Sequence, residues 1–184
     1  MTISEKQLTN FTESVSLGLK AFWRPMPMTA VEWADENYYL SAESSYIEGR
    51  WETLPFQIAI LNAMGNDEIR VVNLMKSARV GYSQMIKAVM AYTLEHKNRN
   101  QLVFQPTDGA ASGFMKAHIE TMIRDIPLIR AMAPWYGKKH RDNTLDTKRF
   151  NNKRQIWCLG GTAAKNYREK SVDTVIYDEL AAFP

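Results

Sequence analysis

One stretch constrains the fold of this chain more than any other. The apolar run Val71-Val72-Asn73-Leu74-Met75 passes directly into Lys76-Ser77-Ala78-Arg79-Val80-Gly81-Tyr82-Ser83. Such a transition is typical of a phosphate-binding loop, whose backbone N–H groups face the phosphates of a nucleotide. Aligning Gly81 and Ser83 with the second Gly and the Ser/Thr of the usual pattern places Lys76 at the first Gly position. The sequence therefore predicts a phosphate-binding loop with its lysine at the front, the alternative being a surface lysine followed by an ordinary turn.

A second motif lies near the end of the chain, where the β-branched run 173–177 ends in Asp178 and Glu179. In a nucleotide hydrolase the first acid of such a pair holds Mg²⁺, and the second orients and deprotonates the attacking water. We therefore expect Asp178 and the Ser83 hydroxyl to hold Mg²⁺, and Glu179 to be catalytic. The alternative is an acidic helix start, because carboxylates also favour that position.

Composition excludes several classes of protein. The 184 residues suffice for one ordinary domain, and 45% hydrophobic residues place the chain among globular proteins. A lone cysteine, Cys158, leaves no internal disulfide and no Cys-rich zinc site. The three histidines have no partner at metal-ligand spacing, so we expect them at the surface or in packing. No apolar run approaches the roughly 18 residues that span a bilayer, and the polar N-terminus lacks the apolar core of a signal peptide.

The pattern of apolar residues predicts alternating strands and helices. A strand over 69–75 precedes the loop 76–83, and strand, turn and helix then recur, which is typical of a parallel sheet flanked by helices. Capping residues predict further helices from Thr29 and from Pro55 to Gly65. The remaining predictions are helices over 82–96 and from Asp108 towards Pro127, and strands over 101–105, 155–159 and 173–177.

Residues 1–22 form a separate amphipathic pattern that ends at Arg24-Pro25-Met26-Pro27. Its apolar residues recur at three- and four-residue steps, which predicts a helix. That helix either packs on the outside of the domain or docks another subunit, and the pattern alone does not separate the two. The apolar positions are Leu8, Phe11, Val15, Leu19 and Phe22.

The stretch 135–154 is basic, with only Asp142 and Asp146 opposing its cations. Three aromatic residues, Trp135, Tyr136 and Phe150, are interleaved. Such mixtures bind nucleic acids when the cations meet phosphates and the rings offer stacking surface, but an ordinary solvated hairpin gives the same pattern. The basic residues are Lys138, Lys139, Arg141, Lys148, Arg149, Lys153 and Arg154.

With both motifs in place, the chain closely resembles, over its whole length, the N-terminal ATPase region of the large terminase subunit of lambda-like bacteriophages. Five blocks carry the resemblance. They are Thr29-Ala30-Val31-Glu32-Trp33-Ala34-Asp35, residues 48–57, the loop 76–83, residues 133–145 (Ala133-Pro134-Trp135-Tyr136-Gly137-Lys138-Lys139-His140-Arg141-Asp142-Asn143-Thr144-Leu145) and Tyr167-Arg168-Glu169-Lys170-Ser171-Val172-Asp173.

The resemblance implies an ATP-driven motor that cuts concatemeric viral DNA and pumps double-stranded DNA through a portal into a procapsid. The implied cofactors are ATP and Mg²⁺, and the implied partners are a small terminase subunit, viral DNA, the portal and procapsid, and further copies of the chain in the assembled motor. The setting would be the bacterial host cytoplasm, with no membrane partner. Residues 1–28 would be the small-subunit docking helix and its linker, and residues 29–184 a partial P-loop ATPase domain.

By the same resemblance, the ATP-binding residues would be Tyr46, Gln57, Lys76, Ser77, Ala78, Arg79, Val80, Gly81, Tyr82 and Ser83. Lys76 looks like the phosphate lysine, and Arg79 resembles an arginine finger for the γ-phosphate. Tyr46 and Gln57 look like adenine contacts, by stacking and by amide hydrogen bonds. The family's lysine after Ser83 is Gln84 here, so its role does not carry over.

The implied fold is a P-loop NTPase sheet of the additional-strand class. In that class another strand lies between the loop strand and the acidic strand and follows the acid pair in sequence. Ending at Pro184, the chain is expected to be C-terminally incomplete, to leave those two strands unpaired, to separate Lys76 from Glu179, and to lack the nuclease domain. A non-enzymatic prophage remnant that keeps only small-subunit binding is therefore the alternative function. A helicase-like ATPase is a third, which the block resemblance disfavours.

Overall fold

The computed structural model of the chain describes residues 4–22, 26–42, 48–77, 80–168 and 170–183. In this part of the chain, no helix combines the length and the apolarity needed to cross a membrane. The helices are α1 (Glu5–Phe22), α2 (Ala30–Asn37), α3 (Pro55–Gly65), α4 (Tyr82–Glu95), α5 (Asp108–Phe114), α6 (Glu120–Asp125) and α7 (Pro127–Ala131). The strands are β1 (Tyr39–Leu40), β2 (Gly49–Arg50), β3 (Gln101–Gln105), β4 (Thr147–Arg149), β5 (Gln155–Gly160) and β6 (Thr174–Tyr177).

The helix starts follow local capping chemistry, as predicted. Thr29 Oγ1 accepts a hydrogen bond from the N–H of Glu32, whose carboxylate accepts one from the N–H of Thr29, so α2 begins with a complete capping box. Pro55 opens α3, where its missing N–H costs nothing. Thr107 caps α5, which continues through a π-helical turn, Met115–Ile119, into α6.

The main sheet has the order β4-β5-β3-β6. The central strand β3 pairs in parallel with β5 and with β6, which confirms the predicted parallel arrangement of these three strands. All five residues of β3 are buried, as expected of a strand covered on both faces. β4, which the sequence did not predict, adds an antiparallel edge, with Thr147 opposite Trp157 and Arg149 opposite Gln155.

The core lies between the sheet and its helices, with α4 at the centre. Every residue from Met85 to Leu94 of α4 is buried. The sheet contributes Val103, Ile156 and Cys158 to this core. On its other face, Phe104 stacks on Tyr167 and Tyr177 with ring centres 4.5 and 5.3 Å apart. The two faces therefore differ, one being packed under helices and the other under a thinner aromatic layer.

The predicted strand over 69–75 is wrong. Residues 69–77 have no regular secondary structure, and Val71 and Met75 are 71% and 98% exposed. A strand forms only where a neighbour satisfies its backbone groups, and no described strand pairs with this segment. Among the described residues, β6 likewise has β3 as its one partner, so its outer edge is unpaired.

Candidate functional site

The acid pair lies at the carboxyl edge of the parallel strands, where β3, β5 and β6 all end. Asp178 directly follows β6, and its N–H donates to the carbonyl oxygen of Phe104 (3.1 Å). Its Oδ2 accepts a hydrogen bond from Gln105 Nε2 (3.0 Å), and its Oδ1 accepts one from the N–H of Glu179 (3.1 Å). Both carboxylate oxygens are therefore oriented by the protein. Ligands of open α/β sheets bind outside this edge of the strands.

Glu179 has an unusual backbone conformation. Its φ is +53°, a left-handed value that is uncommon outside glycine, and the residue is exposed just before a short 3₁₀ turn, Leu180–Ala182. Because this turn begins directly after Glu179, the acid pair does precede a short helical turn, as the alternative of an acidic helix start expects. The carboxylate nevertheless follows a true strand and remains accessible to solvent.

The loop that precedes α4 bends sharply at Gly81. Gly81 has φ = +76°, and its carbonyl oxygen accepts the first hydrogen bonds of α4, from Gln84 and Met85. A side chain here would be strained, which explains why the sequence places glycine directly before the helix. Ser83 is exposed in the first turn of α4, and Ser77 is exposed in the loop. Ala78 and Arg79 lie outside the described residues.

Tyr82, the first residue of α4, lies beside the lysine of the loop. The Lys76 Nζ lies 5.0 Å from the centre of the Tyr82 ring, within the range of a cation–π contact. Burial raises the pKa of the Tyr82 phenol, and the negative charge of Asp178 raises it further. The Asp178 carboxylate is therefore one of the charges that act on Tyr82, as it also acts on His118 and Cys158.

Gln57 supports the loop from beneath. It is 3% exposed, and its Oε1 accepts a hydrogen bond from the N–H of Leu54, which closes the start of α3. Its Nε2 lies 3.3 Å from the point that a Cβ at Gly81 would occupy. The amide is thus already engaged within the protein. Tyr46, the other residue expected to contact adenine, lies outside the described residues.

The donor set at this edge fits Mg²⁺ in its usual nucleotide-bound form. Mg²⁺ is typically held by one or two carboxylates or hydroxyls together with substrate phosphates and water. Asp178 supplies an oriented carboxylate, and Ser83 supplies an exposed hydroxyl in the helix that follows the loop. The described residues contain no group of three or more His, Cys, Asp or Glu side chains that could hold a metal ion. One carboxylate and one hydroxyl match the donors that Mg²⁺ takes from a protein when phosphates and water supply the rest.

Two buried polar residues, one at this edge and one on α4, were missed from the sequence. Gln105 ends an apolar strand just before Pro106. A polar residue at the carboxyl end of a buried strand is a signal of a binding-site residue that the sequence did offer. Lys87 lies on α4, four residues beyond Ser83, and is 2% exposed. Gln84, the residue after Ser83, accepts a hydrogen bond from the Tyr38 hydroxyl (2.6 Å). These contacts link the start of α4 to the core.

Comparison with known proteins supplies the family. Residues 45–184 match the model of the ATPase domain of the phage terminase large subunit gpA. The chain is 66% identical to the large terminase subunit of Escherichia phage lambda and 58% identical to that of Enterobacteria phage P21, over 183 residues in each case. Both alignments cover the whole chain and 28% of the relative, so the chain spans 28% of the length of these relatives.

A shorter match of 43 residues, at 63% identity, joins 23% of the chain to 23% of the protein TfaD of Escherichia coli strain K12. No solved structure matches the chain. The family model covers most of the chain, and the two long alignments cover all of it. The chain belongs to the phage terminase large subunit family, and its residues 45–184 correspond to the gpA ATPase domain of that family.

Proposed function

We propose that this chain is the nucleotide-binding part of a viral DNA-packaging ATPase, built on a P-loop NTPase sheet of the additional-strand class. The proposal rests on the acid pair, which follows β6 at the carboxyl edge of the parallel strands with its Asp178 oriented by Gln105. The same chain also carries the lysine loop before α4 and matches the gpA ATPase domain over residues 45–184. A hydrolase needs both groups at one site, because phosphate binding and activation of water must act on the same nucleotide.

Each site residue then has a specific role. Lys76 binds the phosphates, together with backbone N–H groups of 77–83, and Arg79 stabilises charge on the terminal phosphate. Ser83 and Asp178 would hold Mg²⁺, which would supply neutralisation of the phosphate charge. Glu179 orients the attacking water and takes its proton. Tyr46 and Gln57 would contact the adenine, and the buried Gln57 also supports the loop at Gly81.

Gln105 acts through Asp178. Gln105 is 4% exposed, and its amide donates to Oδ2 of the Asp178 carboxylate. The other oxygen, Oδ1, accepts from the N–H of Glu179. A hydrogen bond to a charged group contributes about 1.5–3 kcal/mol, enough to hold one carboxylate orientation. Gln105 is therefore a positioning residue for the metal-binding acid.

At the level of the whole protein, we propose that ATP hydrolysis moves double-stranded DNA into a procapsid. Residues 1–28 would dock the small terminase subunit, and residues 29–184 would form the ATPase domain. In support, α1 leaves its apolar stripe open: Leu8, Phe11, Val15 and Leu19 are 42–66% exposed. Portal and procapsid contacts, and DNA cutting, would belong to the part of a longer large subunit beyond these residues. The assembled motor would contain several copies in the host cytoplasm.

The test is a chimeric lambda large subunit in which this chain replaces the matching residues. We expect the chimera to hydrolyse ATP and package DNA in a reconstituted assay. Lys76→Ala and Glu179→Ala should each lower turnover by about a hundredfold or more, the usual loss when a catalytic group is removed. Lys116→Ala, at an exposed lysine of the π-helical turn, is the matched control. Unchanged turnover in both site variants would refute the proposed roles.

A further inference from the structure

A strongly cationic stretch of the chain lies away from the proposed nucleotide site. Residues 138–149 contain five Lys and Arg against two Asp, a net formal charge of +3, equal to that of the whole chain. Four of these cations, Lys138, Lys139, Arg141 and Arg149, are exposed. We call these four residues, together with His140, the cationic edge. The rest of the chain has no net formal charge, so the stretch 138–149 accounts for the net positive charge of the chain.

Hydrogen bonds within the stretch hold the cationic edge in shape. Asn143 Nδ2 donates to the carbonyl oxygen of Lys138 (3.2 Å), and the N–H of Arg149 donates to the carbonyl oxygen of Asp142 (2.9 Å). Lys148 faces inward, 1% exposed, where its Nζ donates to Glu120 (2.9 Å) and to Asn143 (2.6 Å). The exposed cations therefore project from a loop that is already ordered, which lowers the entropic cost of binding a ligand.

The edge is separate from the candidate ATP site. β4 lies at one edge of the sheet and β6, which leads to Asp178, at the other. Three inter-strand steps of about 4.8 Å put the two edges about 14 Å apart. The cationic edge and the acid pair therefore lie at opposite edges of the four-stranded sheet and are distinct sites.

The aromatic residues of this stretch exclude one class of ligand. Trp135 and Phe150 are 5% and 3% exposed and belong to the core, and Arg130 lies 3.7 Å over the Tyr136 ring. The expected stacking surface is therefore wrong for Trp135 and Phe150, because their rings fill the space under the loop. Single-strand binding relies on such stacking, whereas a duplex offers mainly phosphates to a basic loop. A cleft of about 320 Å³ beside Trp135 and Phe150 is lined by two cations, Lys138 and Arg149, and by His140, against the one carboxylate of Asp142.

We propose that the cationic edge binds the phosphate backbone of double-stranded DNA. The proposal rests on the proposed function in one respect, that duplex DNA is what the motor handles. It adds the surface that makes the contact and the mode of contact, which is to phosphates and independent of sequence. Asp142 lies beneath the cations, with Arg149 Nη1 3.8 Å and Arg141 Nε 4.0 Å from its carboxylate. These long ion pairs leave both guanidinium groups able to turn outward to phosphates.

The experiment measures binding of the full chain to a short random-sequence duplex, and to one strand of it, by fluorescence anisotropy between about 50 and 200 mM salt. The test variant combines Lys138→Gln, Lys139→Gln and Arg141→Gln. We expect it to weaken duplex binding about tenfold or more and to reduce the slope of log K against log salt by about 3, or roughly one per lost phosphate contact. The matched control combines Lys6→Gln, Arg70→Gln and Lys116→Gln, three exposed cations elsewhere in the chain.

Three results would overturn the proposal. They are equal losses in the test and control variants, the absence of duplex binding by the wild-type chain, and tighter binding of the single strand than of the duplex. Circular dichroism of all variants checks that they fold. Mg²⁺-dependent nucleotide binding should be unchanged in the test variant, because the edge lies across the sheet from Asp178. ATP hydrolysis by the chimera tests the proposed function independently of this surface.

Discussion

Lys87 gives a stability prediction whose size follows from its surroundings. Burial lowers the pKa of its ammonium group from 10.5 to about 8, while Asp125 opposes this change and Arg124 adds to it. His118, in the π-helical turn, also lies within range of its charge. Because the folded protein holds the proton less tightly than the unfolded chain, burying charged Lys87 costs free energy. The difference of about 2.5 between the two pKa values corresponds to about 3 kcal/mol.

The sign of the pH dependence follows directly. The cost is fully present below about pH 8, where Lys87 is charged in both states, and it disappears as the pH rises to about 10.5. Lys87→Met keeps the volume and removes the charge. It should therefore raise the free energy of unfolding by up to about 3 kcal/mol at pH 7, and by much less near pH 10.5.

Urea unfolding followed by circular dichroism from pH 7 to 10.5 measures this difference. Lys116→Met removes the same charge from an exposed position of the π-helical turn and should leave stability within about 0.5 kcal/mol of wild type. The reasoning is refuted if Lys87→Met is destabilising at pH 7, or if its advantage does not shrink as the pH rises.

Three further predictions concern the site. Gln105→Leu should weaken nucleotide binding in the presence of Mg²⁺ but not in its absence, as measured by calorimetry, and an equal effect in both conditions would reject its role at Asp178. Gly81→Ala should lower the free energy of unfolding by about 1 kcal/mol, because its φ of +76° is strained for alanine; an unchanged urea midpoint would contradict this. The isolated chain should release phosphate from ATP slowly or not at all, because β6 and residues 69–77 are not joined by a described strand; turnover equal to that of the chimera, abolished by Lys76→Ala and Glu179→Ala, would disprove it.

The sequence predicted most of the elements whose signals are local. Thr29 with Glu32, and Pro55 with Gly65, predicted α2 and α3 because capping and termination depend on neighbouring residues. The buried strand β3 was also predicted, since a short apolar run between turn residues is a local signal. The strand over 69–75 failed because strand formation depends on a partner, which no local pattern encodes.

Side-chain direction in irregular or edge segments was harder to predict. Lys148 and Arg149 are neighbours in a basic run, yet Lys148 is buried and Arg149 is exposed. Once β4 is known, alternation along the strand explains the difference, but the run Thr-Lys-Arg has no apolar signal from which to predict β4. The same holds for Trp135 and Phe150, whose rings turn into the core beneath a charged loop.

Equilibrium binding of ATP to the 184-residue chain, with and without Mg²⁺, tests the central claim most directly. The account predicts binding that Mg²⁺ strengthens, that Lys76→Ala removes, and that Asp178→Asn makes insensitive to Mg²⁺, while Lys116→Ala has no effect. Binding that survives in Lys76→Ala and remains sensitive to Mg²⁺ in Asp178→Asn would contradict the assignment of the loop 76–83 and the acid pair to one nucleotide site.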